Sequence, residues 1–539
     1  MSDAPPAAAT PAKKPKGAGG AQLVAAGILL SRIAGLVRER AFAHYFGNSD
    51  AGDAFKAALK IPNFLQNLFG EGVLSASFIP VYAKELALGD EALARRLASA
   101  VATLLTLATS LLVLAGVFAT PFLIDTIAPG FEGEKRLETI RLVQIFFPGT
   151  GMLVLSAWCL GILNSHRKFF LAYAAPVLWN LAIIGALFLY GGSTHDYALA
   201  ERVAWGLVVG SALQFGVQLP TALLLVRGLR PELGLRLEAT RTVLRNFLPV
   251  VVARGVVQLS AYIDNVLASL LPTGAVSALA YAQTLYLLPI SLFGMSVSAA
   301  QLPAMASATG TDAEIAAALR TQLDRGLRQI AFFIVPSVAG LLFLGDVVVA
   351  ALFQTGVFDA DSTRYVWAAL AGSTVGMLAA TQGRLYASAF YALRDTRTPL
   401  KYASIRVALT IGLGWVCALW VPGWLGLETK WGTVGLTASA GMAGWVEFLS
   451  LRAALGERIG RTGLPTALLL RLWGAALPAA ATGFGAKLAL GGLLHPILRG
   501  VVVIGAFGVV YAGLTLALGV PEARGTLERM RQRLGRSKR

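Results

Sequence analysis

Charged side chains recur in this chain inside stretches that are otherwise apolar enough to cross a membrane. The first such stretch carries Arg32, Arg38 and Arg40, with Glu39 as the only acid among them. The second carries Asp53, Lys56, Lys60, Asn63, Asn67 and Glu71 at spacings of three and four, which on a 3.6-residue helix share one face. Leu59, Phe64, Leu68 and Leu74 lie off that stripe. A charge at the bilayer centre costs roughly 3 kcal/mol on insertion scales. Such groups therefore either neutralise one another inside the bundle, as Asp53 would with Lys56 or Lys60, or face a wet cavity that handles a polar cargo. Arginine presents a planar fork of donors that matches phosphate oxygens. Arg32 and Arg38 lie about 9 Å apart along a helix axis, so the pair suits an anionic, phosphate-bearing ligand. The alternative is that Arg38 and Arg40 reach to an interface.

Further along, Arg254, Gln258, Tyr262 and Asn265 repeat at helical spacing with Asp264 beside them, and Arg384 stands in another apolar run. Asp264 is either an ion-pair partner or a ligand for a coupling cation, sodium or a proton. No resident cofactor is expected. The four histidines are scattered and the two cysteines, Cys159 and Cys417, sit in apolar runs, so neither residue type forms a metal-ligand cluster.

The elements that must position these residues are helical spans. Of 539 residues, 56% are hydrophobic and 14% charged, which is the balance of an all-α polytopic membrane protein. About fourteen stretches approach the ~20 residues a spanning helix needs. They fall near 22–46, 54–82, 97–125, 138–164, 170–190, 199–226, 243–271, 275–305, 328–354, 363–391, 399–421, 432–453, 465–488 and 496–519. The net charge of +17 would suit nucleic acid, but its carriers lie in alternate short loops and in the tails. The loops GGSTHDYALAE, LPTG and TGVFDADS are poor in Lys and Arg. That asymmetry predicts cytoplasmic termini and no nucleic-acid partner.

Residues 1–20 read as a disordered tail and 521–539 as a basic one. LFGEGVLSASFIPVYA (68–83) resembles LFGMSVSAAQLPAMA (292–306), and GML recurs at 151–153 and 376–378, as in a chain built from two related bundles. The other explanation is chance likeness between Gly/Ala-rich spans. No G-x-S-x-G, Walker A or H-E-x-x-H pattern occurs, so catalysis is not expected. Transport energy would then come from a gradient or the membrane potential.

The run SRIAGLVRE…DAFKAALKIPNFLQNLFGEGVLSASFIPVYAKE resembles the N-terminal signature of the MurJ (MviN) family, the lipid II flippases of bacterial cell-wall synthesis. The likeness continues through LNSHRKFFLAYAAPVLWN (163–180), ALFQTGVFDADST (351–363) and FYALRDTRTPLK (390–401). The resemblance implies a multidrug/oligosaccharidyl-lipid/polysaccharide exporter fold with about fourteen transmembrane helices. It implies six-helix lobes over 21–230 and 231–455 and two further helices over 456–520. It also implies alternating access in the bacterial inner membrane, with membrane lipids around the chain and lipid II as the substrate.

Arg32, Arg38, Asp53 and Glu71 match functional positions of that family, and Glu39 stands where an Asp is common. Two positions depart: Gln66 and Thr284 occupy sites where the family usually has arginine. The expected substrate-binding set is therefore Arg32, Arg38, Asp53, Lys60, Glu71, Arg384 and Arg254, the last compensating for the missing arginines. Glu39, Asn63 and Asn67 are expected in the network between lobes, and Asp264 in a sodium site. The protein is expected to act as a monomer. The competing readings are a flippase or cation-coupled exporter for another lipid-linked oligosaccharide or a drug, and a non-transporting scaffold of the cell-wall machinery.

Overall fold

The computed structural model describes residues 18–307 and 309–536; the side chains of 18–25, 71, 252–261, 529–530 and 533–536 are outside that description. Every regular element among the described residues is helical. The N-terminal half runs α1 (Ala18–Phe46), α2 (Asp50–Ala58), α3 (Lys60–Phe69), α4 (Glu71–Ser77), α5 (Ile79–Ala87), α6 (Glu91–Ile127), α7 (Gly133–Ser165), α8 (Phe169–Ala174), α9 (Pro176–Tyr190) and α10 (Asp196–Val226). The C-terminal half continues with α11 (Glu238–Ser269), α12 (Ala275–Pro289), a π-helical turn (Ile290–Met295), α13 (Ser296–Ala306), α14 (Asp312–Phe353), α15 (Ala360–Ala392) and α16 (Arg397–Leu419). It ends with α17 (Val421–Trp424), α18 (Gly432–Ile459), α19 (Thr466–Leu490), α20 (Pro496–Ala517) and α21 (Pro521–Arg536).

Each stretch expected to span is helical, but ten helices among the described residues are long and apolar enough to cross a membrane by length and composition. The other four expected spans are α1, α2–α5, α11 and α15. Side chains of α1 and α11 lie partly outside the described residues, α2–α5 is broken into short helices, and α15 is rich in Gly, Ser and Thr and carries Arg384.

The second expected span is not one continuous helix. Proline lacks the N–H that would bond four residues back, and its ring crowds that carbonyl. Pro62 and Pro80 accordingly lie just after breaks at Leu59 and Phe78. A third break falls at Gly70, whose φ of −90° and ψ of −142° leave the helical region. The polar stripe from Asp53 to Glu71 therefore does not share a single face: Asp53 and Lys56 are buried, Lys60 is half-buried, and Asn63 and Asn67 are exposed. LFG at 292–294 falls in the π-helical turn of the other half, so this stretch and LFG at 68–70 each stand at a departure from regular α-helix.

Small residues let α15 and α18 cross closely. A Cβ on Gly376 would meet the Gly441 Cα at 2.4 Å. The α19–α20 pair packs on α14, where Tyr511 donates to the Phe332 carbonyl at 2.8 Å and Lys487 pairs with Asp346 at 2.5 Å.

Candidate functional site between the two halves

Helix α1 carries the first charged group to the junction of the halves. Glu39 is 7% exposed and accepts from two cations at once, Arg38 at 2.7 Å and Lys56 at 2.5 Å. Lys56 comes from α2, so the pair ties the broken second segment to the first helix. Its ammonium also sits 4.2 Å from the Phe42 ring centre, and 5.2 Å from that of Tyr281 in the other half. Burial of ions costs several kcal/mol each unless partners replace water, and here one carboxylate serves two cations.

Arg38 Nη1 also donates to Asn180 Oδ1 at 3.1 Å, and the guanidinium stacks over Trp179 at 4.9 Å. Arg32, two turns earlier, is exposed; its Nη1 donates to Ser291 Oγ at 3.0 Å, across the junction in the π-helical turn. A cavity of about 250 Å³ shares Trp179 with Arg38 and is lined by Gln66, Ser156 and Gln214 among others. Ser156 is held by Gln214 and Gln218, so this wall offers neutral amide and hydroxyl groups rather than charge.

Toward one end of the bundle, polar contacts latch the halves together. Asp53, 1% exposed, accepts from Gly274 N at 2.8 Å and Ser277 N at 2.7 Å, at the amino end of α12. Its other partner is Lys135 at 2.9 Å, which also binds Asp50 at 2.7 Å. Thr273 donates to Asp50 at 2.8 Å. Partial burial of the Asp50 carboxyl works to raise its pKa, but hydrogen bonds from Lys135 and Thr273 outweigh it and hold the group below the usual carboxylate range. Arg40 donates to the carbonyls of Ala351 and Leu352, at 2.9 and 2.7 Å, and His44 Nδ1 lies 2.9 Å from Thr355 Oγ1. Asn265 Nδ2 donates to the Ile127 carbonyl at 2.9 Å.

The internal pairing of Asp53 with Lys56 or Lys60 does not form: Asp53 takes Lys135, Lys56 takes Glu39, and Lys60 has no ion-pair contact among the described residues. The charge acting most on Lys60 is Asp264 from α11. Asp264 has a buried Oδ1 without a hydrogen-bond partner and feels Arg406 of α16 as well. Arg384 is exposed on α15. The side chains of Arg254, Gln258 and Glu71 lie outside the described residues. No group of three or more His, Cys, Asp or Glu residues suited to a metal ion occurs among the described residues.

Sequence reasoning missed Lys135, Asn180, Ser291 and Arg406. Lys135 sits at the head of α7, 82 residues from Asp53 in sequence. The one available signal was its place beside Glu134 and Glu138 in an acidic turn, which points to local pairing instead.

A family model described as "Lipid II flippase MurJ" matches residues 42–487. The lipid II flippase MurJ of Burkholderia cenocepacia is 33% identical over 437 residues, covering 80% of this chain and 82% of that protein. The chain belongs to the lipid II flippase MurJ family. A probable lipid II flippase MurJ from Rhizobium meliloti is 32% identical, with 82% of this chain and 81% of that one covered. Among solved structures, a lipid II flippase MurJ in an inward closed conformation aligns with a TM-score of 0.74 at 24% identity, over 94% of this chain and all of that one. An inward-facing multidrug MATE transporter of the MOP superfamily aligns at 0.64 and 17%, over 81% of this chain and 98% of that one. Both place the chain in the exporter fold shared by these proteins. This family member is thus a multi-pass membrane protein with an apolar exterior and a charged junction between its halves.

Proposed function

We propose that this family member is an inner-membrane flippase that carries undecaprenyl-pyrophosphate-linked disaccharide-pentapeptide, lipid II, from the inner to the outer leaflet by alternating access. Its lobes are residues 21–230 and 231–455, with 456–520 as two added helices and both tails in the cytoplasm. The latched end then faces outward. The observation that carries this reading is the placement of Arg32 and Arg38 along one helix at the junction: Arg32 is exposed and bonded to a neutral serine of the opposite half. Pyrophosphate oxygens can take over those donors, while the neutral Gln66–Ser156–Gln214 cavity suits sugar or peptide amides. Moving an anion outward across an inside-negative membrane is favourable by about 2.3 kcal/mol per charge per 100 mV.

Asp53, Lys60, Asn63, Asn67, Glu71 and Asp264 serve the transport cycle in this reading, with sodium or a proton as coupling ion and the monomer as the working unit. No covalent catalysis is assigned. The test is complementation of a strain depleted of its own flippase: wild type restores growth, Arg32→Ala and Arg38→Ala do not, although both are made and inserted.

One observation favours a second reading. Gln66 and Thr284 are neutral where the family usually has arginine, which suits a different lipid-linked oligosaccharide. The lipid-linked precursor that accumulates on depletion separates the two, and a non-transporting scaffold predicts that neither accumulates.

A further inference from the structure

Position 284 offers a phosphate nothing but a hydroxyl, and that hydroxyl is used within its own helix: Thr284 Oγ1 donates to the Ala280 carbonyl at 3.0 Å. Two residues on, half-buried Tyr286 lies in a group of charges whose two arginines the function described so far does not use. Arg406 from α16, Arg384 from α15 and Asp264 from α11 surround it, since α12 packs against α15 and α11, and α16 packs against both of those helices. Three helices of the C-terminal half thus converge on one volume beside α12.

The two arginines in this group have spare donors. Arg384 is exposed, and among the described residues its guanidinium has no hydrogen-bond or ion-pair partner. It lies eight residues before the end of α15, about 12 Å along the axis, on the helix that packs against α12. Arg406 spends one arm of its fork on Glu447 at 3.2 Å, with its side chain 35% exposed. From the opposite half Lys60 completes an alternating series: Lys60, Asp264, Arg406, Glu447. Arg384 is the charge left over. An unneutralised guanidinium within a membrane span is costly and persists where it meets water or a ligand. A fork that is planar and free on one side fits a phosphate oxygen pair.

We infer that Arg384 and Arg406 supply the C-terminal half's phosphate donors, so that the pyrophosphate is held between them and the α1 arginines. The task that an arginine at position 284 would perform from α12 is carried out here from α15 and α16. The inference rests on the lipid-pyrophosphate reading above and adds which residues grip the anion. Glu447 keeps Arg406 oriented when no anion is bound, and Asp264 is the carboxylate the incoming phosphate displaces from the neighbourhood of Lys60.

The experiment is retention of undecaprenyl pyrophosphate by the full-length purified protein, read by native mass spectrometry, with undecaprenol as the uncharged control. Arg384→Gln should lower pyrophosphate retention at least tenfold and leave undecaprenol unchanged. Arg406→Gln combined with Glu447→Gln, which avoids an orphaned carboxylate, should do the same. Arg384→Lys, which keeps the charge and loses the fork, should fall between wild type and Arg384→Gln, and Thr284→Arg in the Arg384→Gln background should recover part of the retention. Unchanged retention in the Arg384→Gln/Arg406→Gln/Glu447→Gln variant overturns the inference while leaving the transport reading standing. Equal loss of both probes in that variant and in Arg384→Lys also overturns it, because a packing role is then sufficient. A wild-type protein that retains undecaprenol but no pyrophosphate overturns the inference and the transport reading together.

Discussion

Asp53 of the N-terminal half caps the amino end of α12 in the other half, where Ser277 N donates to its Oδ1 at 2.7 Å. The carboxylate thereby joins a buried cation, Lys135, to the positive end of a helix dipole, and does so across the surface that must part when the outer end opens. Hydrogen bonds to a charged group contribute about 1.5–3 kcal/mol each. Losing the cap should therefore shift the closed–open balance by roughly tenfold or more.

That shift is measurable. A cysteine placed at buried Ser277 should react slowly with an impermeant maleimide in the wild-type background, and at least about tenfold faster with Asp53→Ala. Asp53→Asn should fall between, since it keeps an acceptor but loses the charge. Equal rates in all three would show that this contact does not hold the end shut.

The Glu39–Lys56 pair sets a different test. Removing one partner from a buried ion pair costs about 3–5 kcal/mol, because the other charge is left without compensation. Lys56→Gln leaves Glu39 with Arg38, whereas Glu39→Gln orphans two cations. Glu39→Gln should therefore be the more destabilising in thermal unfolding, and the Glu39→Gln/Lys56→Gln double variant should be less destabilised than the sum of the two.

How much of this was legible beforehand depended on range. The helical stretches and the arginines of α1 follow from local chemistry, but the second segment reads in sequence as one helix, although Pro62 and Pro80 stand just after the breaks at Leu59 and Phe78. Partner choice did not follow. Asp53 has Lys56 and Lys60 one and two turns away in sequence, yet the break at Leu59 and the approach of α7 give it Lys135. Arg32 met Ser291, 259 residues on, because the π-helical turn carries that serine to the junction. Spacing along one helix cannot encode which face a second helix presents to it.

Close helix crossing gives a third expectation. Gly376 and Gly441 leave no room for a side chain, so Gly441→Leu should destabilise the α15–α18 pair by about 1–3 kcal/mol or more through overpacking. Gly444, which meets nothing within 4 Å, should accept alanine with little change in unfolding temperature.

The loop between α15 and α16 carries a pH-dependent contribution. The Thr398 backbone N–H, the Thr398 hydroxyl and Arg458 hold the Asp395 carboxyl down at about 2, below its ordinary value of 3.8. A depressed carboxylate stabilises the fold above its unfolded pKa and ceases to do so as pH falls through the folded value. After solvent screening this contribution is about 1 kcal/mol. Asp395→Asn should therefore lower stability by that much at pH 7, and the difference from wild type should shrink as pH falls from 4 to 2. A difference that persists at pH 2 would assign the effect to packing.

The most direct test of the whole account is leaflet-resolved lipid II in cells that depend on this protein. With wild type, a membrane-impermeant reagent should reach newly made lipid II at the outer face. With Arg38→Ala, lipid II should accumulate out of reach while the protein remains in the membrane at normal level. Lipid II that stays accessible after Arg38→Ala, or an outer-face deficit in some other lipid-linked oligosaccharide instead, would contradict the account.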